Sequence, residues 1–159
     1  MDAPAGATTR GEGAKHGFVP DYLLYLLAAA SEAASAQFHA QVRAKGVRVP
    51  EWRVLACLVD RDGEMVTRLA GYALVEQSRL TKIIAQMDAK GWVTRRGDAA
   101  DRRRVRVYLT PAGRTLADRL VADARRHEAA LLAKLEGGDA ARIKQALATL
   151  IEELDPAQE

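Results

Sequence analysis

Three features of this sequence predict a mainly helical chain carrying one small β-hairpin. Apolar residues recur at spacings of three and four through most of its length, the period of one helical face. Two short β-prone runs, at 92–96 and 105–109, stand close together and carry the only period-two alternation. Glycines and a Thr-Pro pair punctuate the junctions where helices should stop and start.

The first helix is expected over 20–45, with Leu23, Leu27, Ala30, Ala34, Phe38 and Val42 along one face and Gly46 ending it. Pro50 suits a first helical turn, where its missing N–H costs nothing, and a shorter helix follows at 51–58. Arg61, Asp62 and Gly63 are turn chemistry. Met65, Val66, Leu69, Ala70 and Ala73 then mark a third, short helix. The next spans 76–90, its inward face made of Leu80, Ile83, Ile84 and Met87, and Gly91 stops it. In the second β-prone run Val105, Val107 and Leu109 alternate with Arg106 and Tyr108, as in a half-buried strand. Thr110 and Pro111 form an N-cap and first-turn pair that launches a long helix bearing Leu116, Leu120, Ala124, Leu131 and Leu135. Gly137 and Gly138 break it, and a last helix covers 140–154. Four helices, a hairpin and two more helices, with the hairpin directly after two short helices and a tight turn, is the winged helix-turn-helix order. The expected organisation is a flexible tail at 1–19, a winged helix-turn-helix at 50–110, and flanking helical segments at 20–48 and 111–155.

Composition excludes several classes. A chain of 159 residues buries roughly 70% of its extended surface when folded, so it needs neither metal nor disulfide to hold a core. The single Cys57 and three scattered histidines offer no zinc spacing and no disulfide, and no cofactor is expected. The longest apolar run, 22–30, has nine residues, against the roughly 20 that a membrane span needs. No hydrophobic leader precedes a cleavage-like site, so the expected location is cytoplasmic, with the nucleoid as its bound state. No nucleophile elbow, phosphate loop or Ser-His-Asp cluster is present, which argues against an enzyme.

Charge is informative only when resolved along the chain. Lys and Arg number 24 and Asp and Glu 21, a net +3. From 77 to 106, however, nine basic residues face three acidic ones, a local excess of +6, whereas from 127 to 159 three basic residues face seven acidic ones, a local −4. A charge run is usually a solvated face. Here the run caps a hairpin beside a polar-faced helix, the two surfaces that a winged helix lays on DNA, and duplex DNA carries a phosphate charge every ~1.7 Å of axis.

The major groove, about 12 Å wide, admits one helix. Gln77, Ser78, Arg79, Thr81 and Lys82 near the leading end of the 76–90 helix are therefore the expected contacts. Arg79 is read as a bidentate guanine contact, and Ser78, Thr81 and Lys82 as phosphate contacts. The wing arginines Arg96, Arg102, Arg103 and Arg104 would reach the adjacent minor groove. Asp101, beside three arginines, would pair with one and shape the tip.

These residues resemble the multiple antibiotic resistance regulator (MarR) family of bacterial transcription factors. Val66 to Ala70 (Val-Thr-Arg-Leu-Ala) resembles the start of its first DNA-domain helix, and Ser78 to Val93 its recognition helix with the Gly-apolar-Val that follows. Asp98 to Arg103 is similar to the family's Asp- and Arg-rich wing, and Leu109-Thr110-Pro111-Ala112-Gly113 to its Leu-Thr-x-x-Gly. Two positions depart from the pattern. Glu76 stands where the family often has Asp, and Glu is a poor cap. The first long helix lacks the cysteine of the peroxide-sensing branch.

The resemblance implies a homodimer on a pseudo-palindromic operator, usually a repressor released by a small ligand, with recognition helices about 34–36 Å apart. The apolar surface of the outer helices, including Leu23, Leu24, Leu26 and Leu27, exceeds what one small domain covers and independently asks for a second chain. In the family, small anionic aromatics bind between dimerisation helices and the DNA domain. Tyr25, His39, Trp52 and Arg53 are the corresponding candidates for a small aromatic acid or phenol, with Arg53 pairing a carboxylate and Trp52 stacking on a ring. Each has a plainer role too: Trp52 in the core, Tyr25 at the dimer contact, His39 at the surface. Two alternatives stand beside this reading, a thiol-based redox regulator using Cys57 and a winged-helix module for protein interaction or RNA.

Overall fold

The computed structural model describes residues 17–101, 104–135 and 137–154. Residues 1–16 of the expected tail, Arg102 and Arg103 of the wing, and residue 155 lie outside the described residues. The chain divides into two compact units, Met1–Ser35 and Ala36–Glu159.

In the first unit the expected single helix is interrupted. A one-turn helix, α1 (Phe18–Asp21), takes in Phe18 and Val19 from the expected tail, and α2 (Leu23–Ala44), whose residues 36–44 belong to the second unit, begins after an extended Tyr22 at φ −77°, ψ 119°. The Phe18 and Tyr22 rings stack 5.0 Å apart across that break. A one-residue break leaves the apolar spacing intact, so periodicity does not register it. Leu23, Leu24, Tyr25 and Leu26 are exposed.

In the second unit, α3 (Val49–Asp60) is two residues longer at each end than its apolar pattern. Glu51 in its first turn reaches back to accept the Arg48 N–H at 2.8 Å, half of a capping box. A two-residue strand, β1 (Glu64–Met65), precedes α4 (Val66–Ala73) and α5 (Gln77–Ala89). The expected hairpin, β2 (Val93–Gly97) with β3 (Val105–Leu109), is thereby part of a three-stranded antiparallel sheet in the order β1-β3-β2. Gly63 makes that extra strand possible. It sits at φ +81°, donates its N–H to the Val107 carbonyl at 2.9 Å, and leaves room for the Tyr108 ring, which an added Cβ would meet at 2.6 Å.

The long α6 (Pro111–Leu132) starts where Thr110 accepts the Gly113 N–H at 3.0 Å, and α7 (Asp139–Glu153) follows the glycine break. Gly113 packs so tightly on the Trp92 carbonyl that a Cβ there would lie 1.8 Å from the oxygen. The core lies where α3, α4, α5 and the sheet meet α6: Val54, Leu55, Leu58, Leu69, Leu80, Ile84, Met87, Val107 and Leu120 are all fully buried. At roughly 1.5–3 kcal/mol for each large side chain buried, this cluster dominates the fold. No residue of helix α7 is fully buried. Among the described residues no helix is long and apolar enough to cross a membrane.

Candidate nucleic-acid interface

Helix α5 is oriented by its apolar face. Leu80, Ile83, Ile84 and Met87 face the core, and this turns Gln77, Ser78, Arg79, Thr81 and Lys82 outward, all exposed. Its N-terminus corrects the expectation for Glu76. The longer side chain folds back and accepts from the Ser78 and Arg79 N–H groups at 2.9 and 3.0 Å, as a shorter Asp would, and the Ser78 hydroxyl donates to it as well. The Ser78 hydroxyl and these two backbone N–H groups hold the Glu76 carboxyl below its ordinary range. The Thr81 hydroxyl donates to the Gln77 carbonyl at 3.0 Å. Both hydroxyl protons are thus engaged within the protein, whereas their oxygens keep free lone pairs.

The basic side chains of this region fall into two groups. Some are neutralised internally: Arg95 pairs with Asp88 at 2.9 Å, Lys90 with Glu51 at 2.8 Å, Arg106 with Asp98, and Arg104 with Asp101 at 3.4 Å. Arg79, Lys82 and Arg96 have no ion pair among the described residues. The Arg96 guanidinium lies 4.9 Å over the Tyr108 ring, which holds it while leaving its charge available.

Wing geometry centres on Asp98, a residue the sequence reading left without a role. Its carboxylate accepts from the Ala100 N–H at 2.9 Å, the Asp101 N–H at 3.3 Å and Arg106 Nε, while its own N–H donates to the Arg104 carbonyl at 2.8 Å. The Arg106 hydrogen bond, ahead of the Ala100 N–H, depresses the Asp98 pKa. Arg106 then donates to the Gly63 carbonyl at 2.9 Å and so ties the wing to the β1 turn. An Asp bonding the N–H two residues on is an Asx turn, the one local signal that could have singled out Asp98. Asp101 contributes its pair with Arg104 and a backbone carbonyl for the Arg104 N–H at 2.9 Å. Between α4, α5 and the wing lies a cleft of about 230 Å³ bordered by Thr67, Gln77, Thr81, Arg95 and Arg104.

The predicted ligand residues are divided between the two units. Tyr25 is exposed in the first unit. In the second, His39, Trp52 and Arg53 are half-buried. Phe38 meets the Trp52 ring edge-on at 5.2 Å and stacks on His127 at 5.7 Å, so two aromatic partners escaped the sequence reading. Burial, then the charges of Arg53 and Arg43, push the His39 pKa down. Cys57 is half-buried, and burial pushes its thiol up against the opposing pull of Arg61. That environment disfavours the thiolate. Among the described residues no group of three acidic, histidine or cysteine side chains is placed to hold a metal ion.

Comparison with known proteins agrees with this architecture. The model of the MarR family matches residues 47–105. The chain is 63% identical to a MarR family transcriptional regulator from Silicibacter pomeroyi DSS-3, with a TM-score of 0.80 over 87% of this chain and 99% of that one. At 24% and 23% identity the fold is also that of the transcriptional repressor CouR, solved on a 23-mer DNA duplex, and of NadR, solved with 4-hydroxyphenylacetate. Their TM-scores are 0.75 and 0.71, covering 86% and 81% of this chain and 96% and 91% of theirs. A winged helix with an outward polar recognition helix, at this identity to a family member along nearly its whole length, leaves one assignment: the chain belongs to the MarR family of DNA-binding transcriptional regulators, which are not enzymes.

Proposed function

We propose that the protein is a homodimeric repressor that reads a pseudo-palindromic operator through Arg79 and Lys82 of α5 in the major groove and Arg96 of the wing beside it. The observation that carries this is that these three cations have no ion pair among the described residues and stand on the helix and strand that a winged helix presents to DNA. Gln77, Ser78, Thr81 and Arg104 border the same surface. Arg102 and Arg103 extend it in the sequence.

Dimerisation is assigned to the segments 20–48 and 111–155. Ile143, Leu147, Ile151 and Leu154 repeat along one face of α7 and are exposed, as are Leu23, Leu24 and Leu26 of α2. A helix with no fully buried residue in its own chain gains stability by covering that face with a second copy.

Release is assigned to a small aromatic acid or phenol. NadR holds such a compound, and here Arg53 offers a cation to a carboxylate while Trp52, Phe38 and His127 offer aromatic walls. The test has two arms. Fluorescence anisotropy on duplexes from the region upstream of its own gene should give saturable, salt-sensitive binding by a dimer in light scattering. Hydroxybenzoates, hydroxyphenylacetates and cinnamates should then displace the duplex. Absence of site-specific binding sinks the repressor reading, and binding that no aromatic acid or phenol relieves sinks the effector reading alone.

A further inference from the structure

Away from the DNA-facing surface, one charged side chain is completely buried among the described residues: Glu51, in the first turn of α3. Its Oε2 accepts the Arg48 N–H at 2.8 Å. Its Oε1 accepts from two cations, Arg48 Nη2 and Lys90 Nζ, each at 2.8 Å. Lys90 caps the C-terminus of α5, 39 residues further along the chain. The Arg48 guanidinium also donates to Gln86 Oε1 in the last turn of α5. The start of α3 therefore grips the end of α5 at two points.

The far side of that end is held too. The Lys90 ammonium lies 4.4 Å over the Trp92 ring. The Trp92 carbonyl accepts the Thr110 N–H at 3.1 Å and is the oxygen against which Gly113 packs.

A cap accounts for only one oxygen of Glu51. Exposed glutamates cap helices without being buried, and an apolar residue would fill this site at less cost than a carboxylate with two cations. Burial pushes the Glu51 pKa up, yet the hydrogen bonds from Arg48 and Lys90 outweigh it and hold the group ionised. A buried charge contributes geometry where packing does not: any swing of α5 away from α3 leaves the carboxylate without half of its compensation.

We infer that the Arg48–Glu51–Lys90 cluster positions the recognition helix, setting the angle at which α5 enters the groove, so that sequence specificity depends on a carboxylate that touches no DNA. This rests on sequence-specific DNA binding by the chain. It is separable from that reading because the parent protein supplies its own control.

The experiment compares two duplexes by anisotropy: one enriched by the full-length protein from a randomised library, and a scrambled duplex of equal length and composition. The quantity read is the ratio of the two affinities. Glu51→Gln keeps an oxygen for the Arg48 N–H and removes a negative charge from a DNA-binding domain. Electrostatics alone therefore predicts tighter binding to both duplexes, with the ratio unchanged. The positioning role predicts the opposite for the enriched duplex: a ratio lower by about tenfold, with scrambled-duplex affinity equal or higher and the far-UV helix signal intact at 25 °C. Lys90→Met should lower the ratio as well, and the double variant should fall no further than Glu51→Gln, because both changes break one contact. A folded Glu51→Gln protein with a ratio within twofold of the parent overturns the inference, as does a double variant whose losses multiply. Should Glu51→Gln fail to fold, an unchanged ratio in Lys90→Met overturns it. A parent that does not distinguish the duplexes fails at the earlier step, the specific binding on which both readings stand.

Discussion

Helix α5 and the wing carry charge of the same sign and use it differently. On α5 the outward cations Arg79 and Lys82 have no ion pair among the described residues, while the acidic group at the same end, Glu76, is occupied with backbone N–H groups. On the wing, Arg104 and Arg106 are each paired to an aspartate, and Arg106 is also fastened to the Gly63 carbonyl. The difference follows from support. An α-helix fixes its own backbone, so its side chains are free to meet a ligand. A hairpin tip has few backbone hydrogen bonds of its own and borrows ion pairs to hold a shape. A count of basic residues treats the two as one patch; the structure divides them into cations with no ion pair among the described residues and cations held by aspartates.

The largest expected effect breaks the α5 side. Arg79→Ala should cost about 1–3 kcal/mol of specific affinity, relax discrimination at one base position and lower the salt slope by about one. Thermal melting should not change, because the Arg79 side chain has no ion pair to lose among the described residues. A variant that binds its operator with parental discrimination would remove Arg79 from base reading. On the wing side, Asp98→Ala should weaken binding several-fold and equally on all sequences, since it frees Arg106 and unlatches the Ala100 and Asp101 amides. Hydrogen exchange at those two amides should accelerate in this variant and stay at parental rates in Arg79→Ala. If the aspartate variant instead changes base preference, the wing does more than position itself.

What the sequence made legible follows the same division. Elements with a sustained period, α5 and β3 above all, were readable because four apolar positions repeat along the first and three along the second. Strand β1 was not, since two residues cannot display an alternation, and its existence depends on Gly63 facing Tyr108 from 45 positions away. The outward polar set on α5 could be named from the helical period alone, and the Arg79 and Lys82 side chains do face out. The wing was legible as a loop rich in charge, but which charges are already paired depends on register: Asp98 meets Arg106 because Gly97 pairs with Val105. The Glu51 cluster was invisible for the same reason. Its capping role is local, but its partner Lys90 is brought to it only by packing α5 on α3.

A smaller effect distinguishes the two carboxylates that organise these regions. Glu76 and Asp98 both have pKa values below those of unfolded carboxylates, about 4.3 and 3.9. A depressed folded value means the stabilisation is complete above the unfolded pKa and is lost as pH falls through the lower folded one. Acid titration followed by amide shifts should therefore loosen the first turn of α5 and the wing tip below about pH 4. Glu76→Gln should make the Ser78 and Arg79 amides insensitive to pH in that range while the Ala100 amide still responds. Coupled responses at the two sites would mean that helix and wing do not unfold independently.

The smallest effect concerns the turn that delivers α5 to its place. Leu74, between α4 and α5, is the only described non-glycine residue with positive φ, at 55° with ψ 45°, and the residue is 77% exposed. A leucine in this left-handed region costs about 1 kcal/mol, and its exposure returns no packing to offset that cost. Asparagine adopts the conformation more readily and, unlike glycine, does not enlarge the unfolded ensemble. Leu74→Asn should therefore raise stability by about 0.5–1 kcal/mol in urea melts. Because the turn precedes the Glu76 cap and leaves α5's buried face intact, operator affinity should stay within twofold. A stabilised variant that binds DNA markedly less well would show that the strain in this turn sets the approach of the recognition helix, and that α5 is positioned from its N-terminal end as well as its C-terminal one.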